Sequence, residues 1–181
     1  MIKIPPLPPD EWTEQQRAAV RRLLSTDSTD VPESVAIVLR HLDLFEVWYP
    51  FGQVLQNTGR VPPRDREIMI LRVAVHCDSA YVWAKHESFA GRFDLEPDEV
   101  HRVSVGAAAP GWTDWERLLI CAVDELCEHT RISQPTWARL AQRYDDAQLL
   151  ECLFLVGEYR LLSGLFNSIA IDTPVLERMT K

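Results

Sequence analysis

The chain has 181 residues, 46% hydrophobic and 25% charged, with a formal net charge of -8. That is enough chain to bury roughly 70% of its unfolded surface in one domain, and the composition is that of an ordinary globular protein. The acidic balance, with no basic stripe, excludes a nucleic-acid scaffold, because phosphate binding needs clustered Lys and Arg.

The N-terminus, Met1-Ile2-Lys3-Ile4-Pro5-Pro6, lacks the long apolar core of a signal peptide. Asp10 then reads as the N-cap of a helix ending near residue 24, and Asp30 with Pro32 opens a second, to about residue 41. A third helix covers 42–57, kinked at Pro50 and stopped by Gly59. Val61-Pro62-Pro63 is a stiff connector into a helix centred on Glu67, and a further helix holds His86 over 79–93. Pro97 starts a short helix, Thr113 caps one reaching about residue 129, and Ser133 with Pro135 opens another. Asp145 or Asp146 begins the longest, to about residue 169, with Thr173-Pro174 ending order. The apolar run 149–166 is broken by Glu151, Glu158 and Arg160, so it reads as a core helix and not as a membrane span. No segment sustains a period of two, so the fold class is all-α. The expected organisation is a single domain over 1–181, with N-terminal helices in 10–58, a core about 61–103 and C-terminal helices in 113–170.

Two ionisable residues stand out of register. Wound at about 100° per residue, the helix around Glu67 gathers Asp65, Arg72 and His76 on one face and leaves Glu67 with Ile70, Leu71 and Ala74. In the next helix Tyr81, Lys85, Ser88 and Arg92 share the wet side, while His86 sits among Val82, Phe89, Ala90 and Phe93. A carboxylate on an apolar face is costly unless paired. Two such misfits on consecutive helices are expected to meet.

The last helix carries a second odd stripe. Gly157, Arg160, Gly164 and Asn167 share a face, and each glycine costs roughly 1 kcal/mol of helix propensity relative to Ala. Such a cost permits close approach of a backbone or a ligand. Arg160 is then either a bidentate carboxylate anchor or the structural partner of a buried Glu such as Glu67. Glu151 and Glu158 share an edge of the same helix and read as solvated or salt-bridged. Cys77, Cys121, Cys127 and Cys152 form no CxxC pair and no metal-ligand spacing, so reduced structural thiols are expected. No HxxxH or HxxE cluster calls for a metal, and no cofactor is implied.

The run Arg66-Glu67, Ile70-Leu71-Arg72-Val73-Ala74 and Ser79-Ala80-Tyr81-Val82-Trp83-Ala84-Lys85-His86 resembles the signature of the carboxymuconolactone decarboxylase family, which includes the alkylhydroperoxidase D proteins. The resemblance is strongest over 61–103 and extends more weakly through Trp115 to Asn167. It implies a compact all-α fold assembled into homo-oligomers, often trimers or multiples of trimers, with a dimer as the alternative. In the peroxidase branch a CxxC pair precedes the histidine, and the glutamate and histidine assist proton transfer. Here Glu67 and His86 match, but Ser79 and Val82 stand at the two cysteine positions, so the disulfide-forming cycle is absent. The decarboxylase branch does not need the thiols. It implies a small carboxylated or lactone-like substrate, with Glu67 and His86 catalytic and Ser79, Tyr81, Val82, Trp83 and Arg160 binding the substrate. A peroxidase-related protein with a degenerate thiol site, using Cys77 alone, and a non-catalytic oligomeric binder are the alternatives. The expected setting is the cytoplasm, with a small molecule and further copies of the chain as partners and neither nucleic acid nor membrane.

Overall fold

The structure, a computed structural model, describes residues 3–169. Those residues form nine α-helices and no strand. They cluster in two compact units, residues 3–58 with Ile169 and residues 59–168.

The first unit contains α1 (Glu14–Leu24), α2 (Glu33–Val38) and α3 (Leu42–Gln53). Thr13, not Asp10, caps α1. Its side chain accepts from the Gln16 N–H while the Gln16 side chain accepts from the Thr13 N–H, a reciprocal pair that satisfies two orphan donors. Asp10 falls in the single tight turn Pro9–Glu11 instead. Pro50 lies inside α3. Its missing N–H and ring loosen the helix, which ends at Gln53 and continues as a wider turn, Val54–Thr58. Trp12, Val20, Leu39 and Phe45 are buried at the centre of this unit, and Trp12 Nε1 donates to Leu7 O at 3.0 Å.

The second unit is built around α4 (Pro63–His76). Against it pack α5 (Ala80–Glu87), α6 (Pro97–Val105) and α7 (Asp114–His129). Pro63 sits at the first helical position, where its missing N–H costs nothing. Burial runs all round α4, through Asp65, Arg66 and Glu67 as well as Ile68, Ile70, Leu71 and Val73. The polar face expected from Asp65, Arg72 and His76 is therefore covered, and each member has a partner. Asp65 accepts from Trp115 Nε1 at 2.9 Å and from Tyr144 OH at 2.5 Å. Arg72 and His76 both engage Asp124 of α7, at 2.5 and 2.6 Å. Arg64 joins α4 to α6 and α7 through Glu99 and Glu116, at 2.6 and 2.7 Å.

The His86 helix is shorter than its sequence pattern. α5 ends at Glu87 and a tight turn, Ala90–Phe93, follows. α7 begins at the expected Thr113 cap, α8 spans Gln134–Leu140 behind Ser133, and α9 runs Asp146–Ile169. α9 lies antiparallel to α5, with Tyr159 against His86 at one end and Phe166 against Tyr81 at the other. Glu151 is not a solvated edge residue. Its carboxylate accepts from the Arg60 and Val61 N–H groups at 2.6 and 3.0 Å and so fixes the entry to α4. The expected end of order at Thr173-Pro174 lies outside the described residues. Among those residues no helix is long and apolar enough to cross a membrane.

Candidate functional site

α4 and α5 bring Glu67 and His86 together. Glu67 is 3% exposed and its Oε2 lies 2.7 Å from His86 Nδ1. On the other carboxylate oxygen, Arg66 Nε approaches to 3.7 Å. The Arg66 guanidinium is itself buried and stacks over the Phe93 ring at 5.1 Å. A glutamate carboxylate can only accept. Nδ1 of His86 then carries the proton towards Glu67, and Nε2 is the nitrogen left to serve a ligand. Two aromatic rings hold the imidazole edge-on: Tyr159 at 5.0 Å and Phe89 at 6.4 Å between centroids.

Four buried side-chain polar atoms have no hydrogen-bond partner among the described residues. Arg66 Nε, Ser79 Oγ, Tyr159 OH and Ser163 Oγ are all buried and form no hydrogen bond. Interiors rarely tolerate such groups unless they serve a strained or ligand-facing site. Burial, reinforced by the charge of Glu67, pushes the Tyr159 hydroxyl well above the ordinary tyrosine value, so it stays protonated and available as a donor. Tyr159 and Ser163 are one turn apart on α9, on the side that faces α5. Neither they nor Arg66 was selected from the sequence. The two α9 residues sit in an apolar helix whose periodicity does not single out Tyr or Ser, and Arg66 enters the sequence reading only through the family resemblance.

Ser79 and Val82 are buried on the same face of α5 as His86. Ser79 precedes the helix without capping it. It also borders a cavity of about 470 Å³ whose wall includes Ala74, Val75, Asp78, Trp83 and His101. Trp83 is half-buried and packs against the cluster formed by Ile68, Leu71, Val103 and Trp112. Tyr81 is not on a wet face; it is half-buried with its ring 4.6 Å from Phe166. Arg160 is not brought to the pair. It is exposed, and its guanidinium donates at 3.0 Å to Leu126 O, a carbonyl in the last turn of α7 that also accepts from the Thr130 N–H. The buried cation beside Glu67 is Arg66.

All four cysteines are free thiols. Burial pushes Cys127 up to about 11 and Cys152 up to about 12, and raises Cys121 as well. Cys77 closes α4, half-buried, with its carbonyl accepting from Asn167 at 2.8 Å. Among the described residues no group of His, Cys, Asp and Glu is arranged to hold a metal ion.

No protein-family profile and no curated protein matches the sequence. Solved structures do. An alkylhydroperoxidase AhpD core, a peroxidase-related protein from Ralstonia eutropha JMP134, superposes with a TM-score of 0.75 at 14% identity, covering 93% of this chain and 92% of its own. A protein of unknown function from Agrobacterium tumefaciens, suggested to be the antioxidant defence protein AhpD, gives 0.69 at 16% identity over 76% of this chain and 95% of its own. The fold is AhpD-like. The debrominase Bmp8, in a cysteine-to-alanine variant bound to 2,3,4-tribromopyrrole, has the same AhpD-like fold, with a TM-score of 0.75 at 12% identity over 98% of this chain and 94% of its own. The fold expected from the Glu67–His86 motif is thus found, on a backbone that other proteins use for differing chemistry.

Proposed function

We propose that the protein is an enzyme doing acid–base chemistry, a decarboxylation or isomerisation, on a small carboxylated or lactone-like molecule. The observation that carries this reading is the buried 2.7 Å contact between Glu67 and His86. In a decarboxylation the bond to the carboxyl carbon breaks, carbon dioxide leaves, and the electron pair remains on carbon, delocalised into the adjoining carbonyl system. A proton on His86 Nε2 then passes to that carbon, and Glu67 supports the imidazolium that delivers it. In an isomerisation Nε2 takes a proton from one carbon and returns it to another. Arg66 supplies positive charge for the substrate carboxylate, and the Tyr159 hydroxyl donates to a developing oxyanion. The cavity beside Ser79 and Trp83 has volume for a compact ring, but neither Glu67 nor His86 lines it; Ser79, on the His86 side of α5, is what borders both. The likeness to enzymes of the same fold supports catalysis without naming its type.

The test is turnover of small lactone carboxylic acids in deuterated water, followed by carbon dioxide release and deuterium incorporation. Glu67→Gln and His86→Asn are expected to remain folded by circular dichroism and to lose at least about 100-fold in kcat, the usual contribution of a positioned acid or base. Full activity in either variant refutes the assignment. Peroxide consumption with sulfenate on Cys77 would move the chemistry to the thiol and also refute it.

A further inference from the structure

Two serines of the second unit give up the hydrogen bonds that serine ordinarily makes. Ser79 stands at the N-cap of α5, where a serine oxygen commonly accepts from an N–H of the first turn, yet its side chain caps nothing. Ser163 lies in mid-α9, where a serine hydroxyl commonly turns back to the carbonyl four residues earlier. It does not do so, and neither Oγ has any other partner among the described residues. Both are deep in the structure: Ser79 is 2% exposed and Ser163 is 0% exposed. A hydroxyl taken out of water and left without a partner is a standing cost. Two of them on facing helices call for one shared ligand.

The packing of α5 on α9 sets the two hydroxyls at neighbouring levels. Tyr159 lies against His86 and Phe166 against Tyr81, so Ser163 comes level with the turn of α5 around Val82. Ser163 is one turn beyond Tyr159, on the same side of α9. On α5, at about 100° per residue, Ser79, Val82 and His86 fall within a face about 60° wide, and all three are buried. Ser79 also borders the cavity walled by Ala74, Val75 and Trp83, so an apolar ring seated there reaches the serines with one end. The other two unpartnered groups, Arg66 Nε and the protonated Tyr159 hydroxyl, are donors as well. Such a setting lacks an acceptor. The Arg66 cation suits a carboxylate, whereas two neutral hydroxyls suit a neutral carbonyl oxygen, whose two lone pairs take one donation each.

We infer that Ser79 and Ser163 form a carbonyl-binding subsite beside His86, each donating to one carbonyl oxygen of a small ring compound seated in the adjoining cavity. The inference rests on the acid–base reading for the kind of molecule, a ring that also bears a carboxylate. The test is calorimetric binding of two probes: paraconate, a saturated five-membered lactone bearing a carboxylate, and the same ring with a methylene in place of the carbonyl. The saturated ring has nothing to take up the electron pair of a decarboxylation, so binding is read without turnover. The wild-type protein should bind paraconate about tenfold more tightly than the ether, the factor that one hydrogen bond of ordinary net strength supplies. Ser79→Ala and Ser163→Ala should each remove most of that preference and leave the affinity for the ether unchanged. Equal affinity of the wild type for the two probes, including no binding of either, overturns the subsite. So does a serine variant that loses both probes alike, since the serine then acts only on the fold. A crystal structure of the paraconate complex with water, and not the carbonyl, on the two hydroxyls overturns it too. The preference without turnover of any lactone acid would refute the acid–base chemistry and keep the subsite; turnover without the preference would do the reverse.

Discussion

Glu67 is tolerated in the interior because three neighbours act on it together. His86 Nδ1 donates to one carboxylate oxygen, Arg66 supplies charge near the other, and Tyr159 closes the imidazole from outside. Removing one member of such a group leaves the others buried without a partner, which costs far more than the group's net contribution. Glu67→Ala is therefore expected to destabilise the protein by about 3–5 kcal/mol, because it strands both Arg66 and the Nδ1 proton. Glu67→Gln keeps an acceptor for that proton and should cost less, about 1–3 kcal/mol. Urea unfolding of the two variants checks the order; equal losses would mean that the hydrogen bond to His86 carries no energy. The same comparison separates stability from catalysis, since the glutamine variant is the one expected to fold and yet not turn over.

Among the elements, α4 joins the most parts and shows what its neighbours must supply. Arg64 at its start ties α6 and α7 to it through Glu99 and Glu116. The Arg64 hydrogen bond holds Glu99 below the usual carboxylate range. Burial would raise Glu116, but Arg64 and the Thr113 cap draw it below that range as well. A depressed folded-state value stabilises the protein above the unfolded glutamate value, about 4.3, and that contribution is lost as pH falls through the folded values. Arg64→Gln should accordingly cost about 1–3 kcal/mol near neutral pH, where the buried Glu116 and the half-buried Glu99 lose their cation. The gap between wild type and variant should close as both glutamates protonate, below about pH 4. Denaturant midpoints at several pH values measure this directly, and a gap independent of pH would show that Arg64 acts by packing alone.

At the scale of the whole molecule, the described residues form an all-helical, AhpD-like fold. Much of the fold was already legible in residue order. Proline placement, the Thr113 cap and helical periodicity located α4, α6, α7, α8 and α9. The cap of α1 moved to Thr13 because a reciprocal Thr–Gln pair outcompetes a lone Asp. The candidate site was half legible. Glu67 and His86 announced themselves as polar residues on apolar faces, a property of each helix taken alone. Periodicity, however, says which residues share a face, not what covers the opposite one. The sequence by itself therefore determined an all-α chain with one misplaced acid and one misplaced imidazole. Only the tertiary structure decided that Arg66 and not Arg160 lies beside Glu67, that Asp65 is buried against Trp115 and Tyr144, and that Tyr159 completes the setting of His86. Apart from Arg66 and Glu67, which are neighbours in sequence, those contacts join residues 34 to 79 positions apart, and their energies come from desolvation and geometry that exist only once the helices have packed.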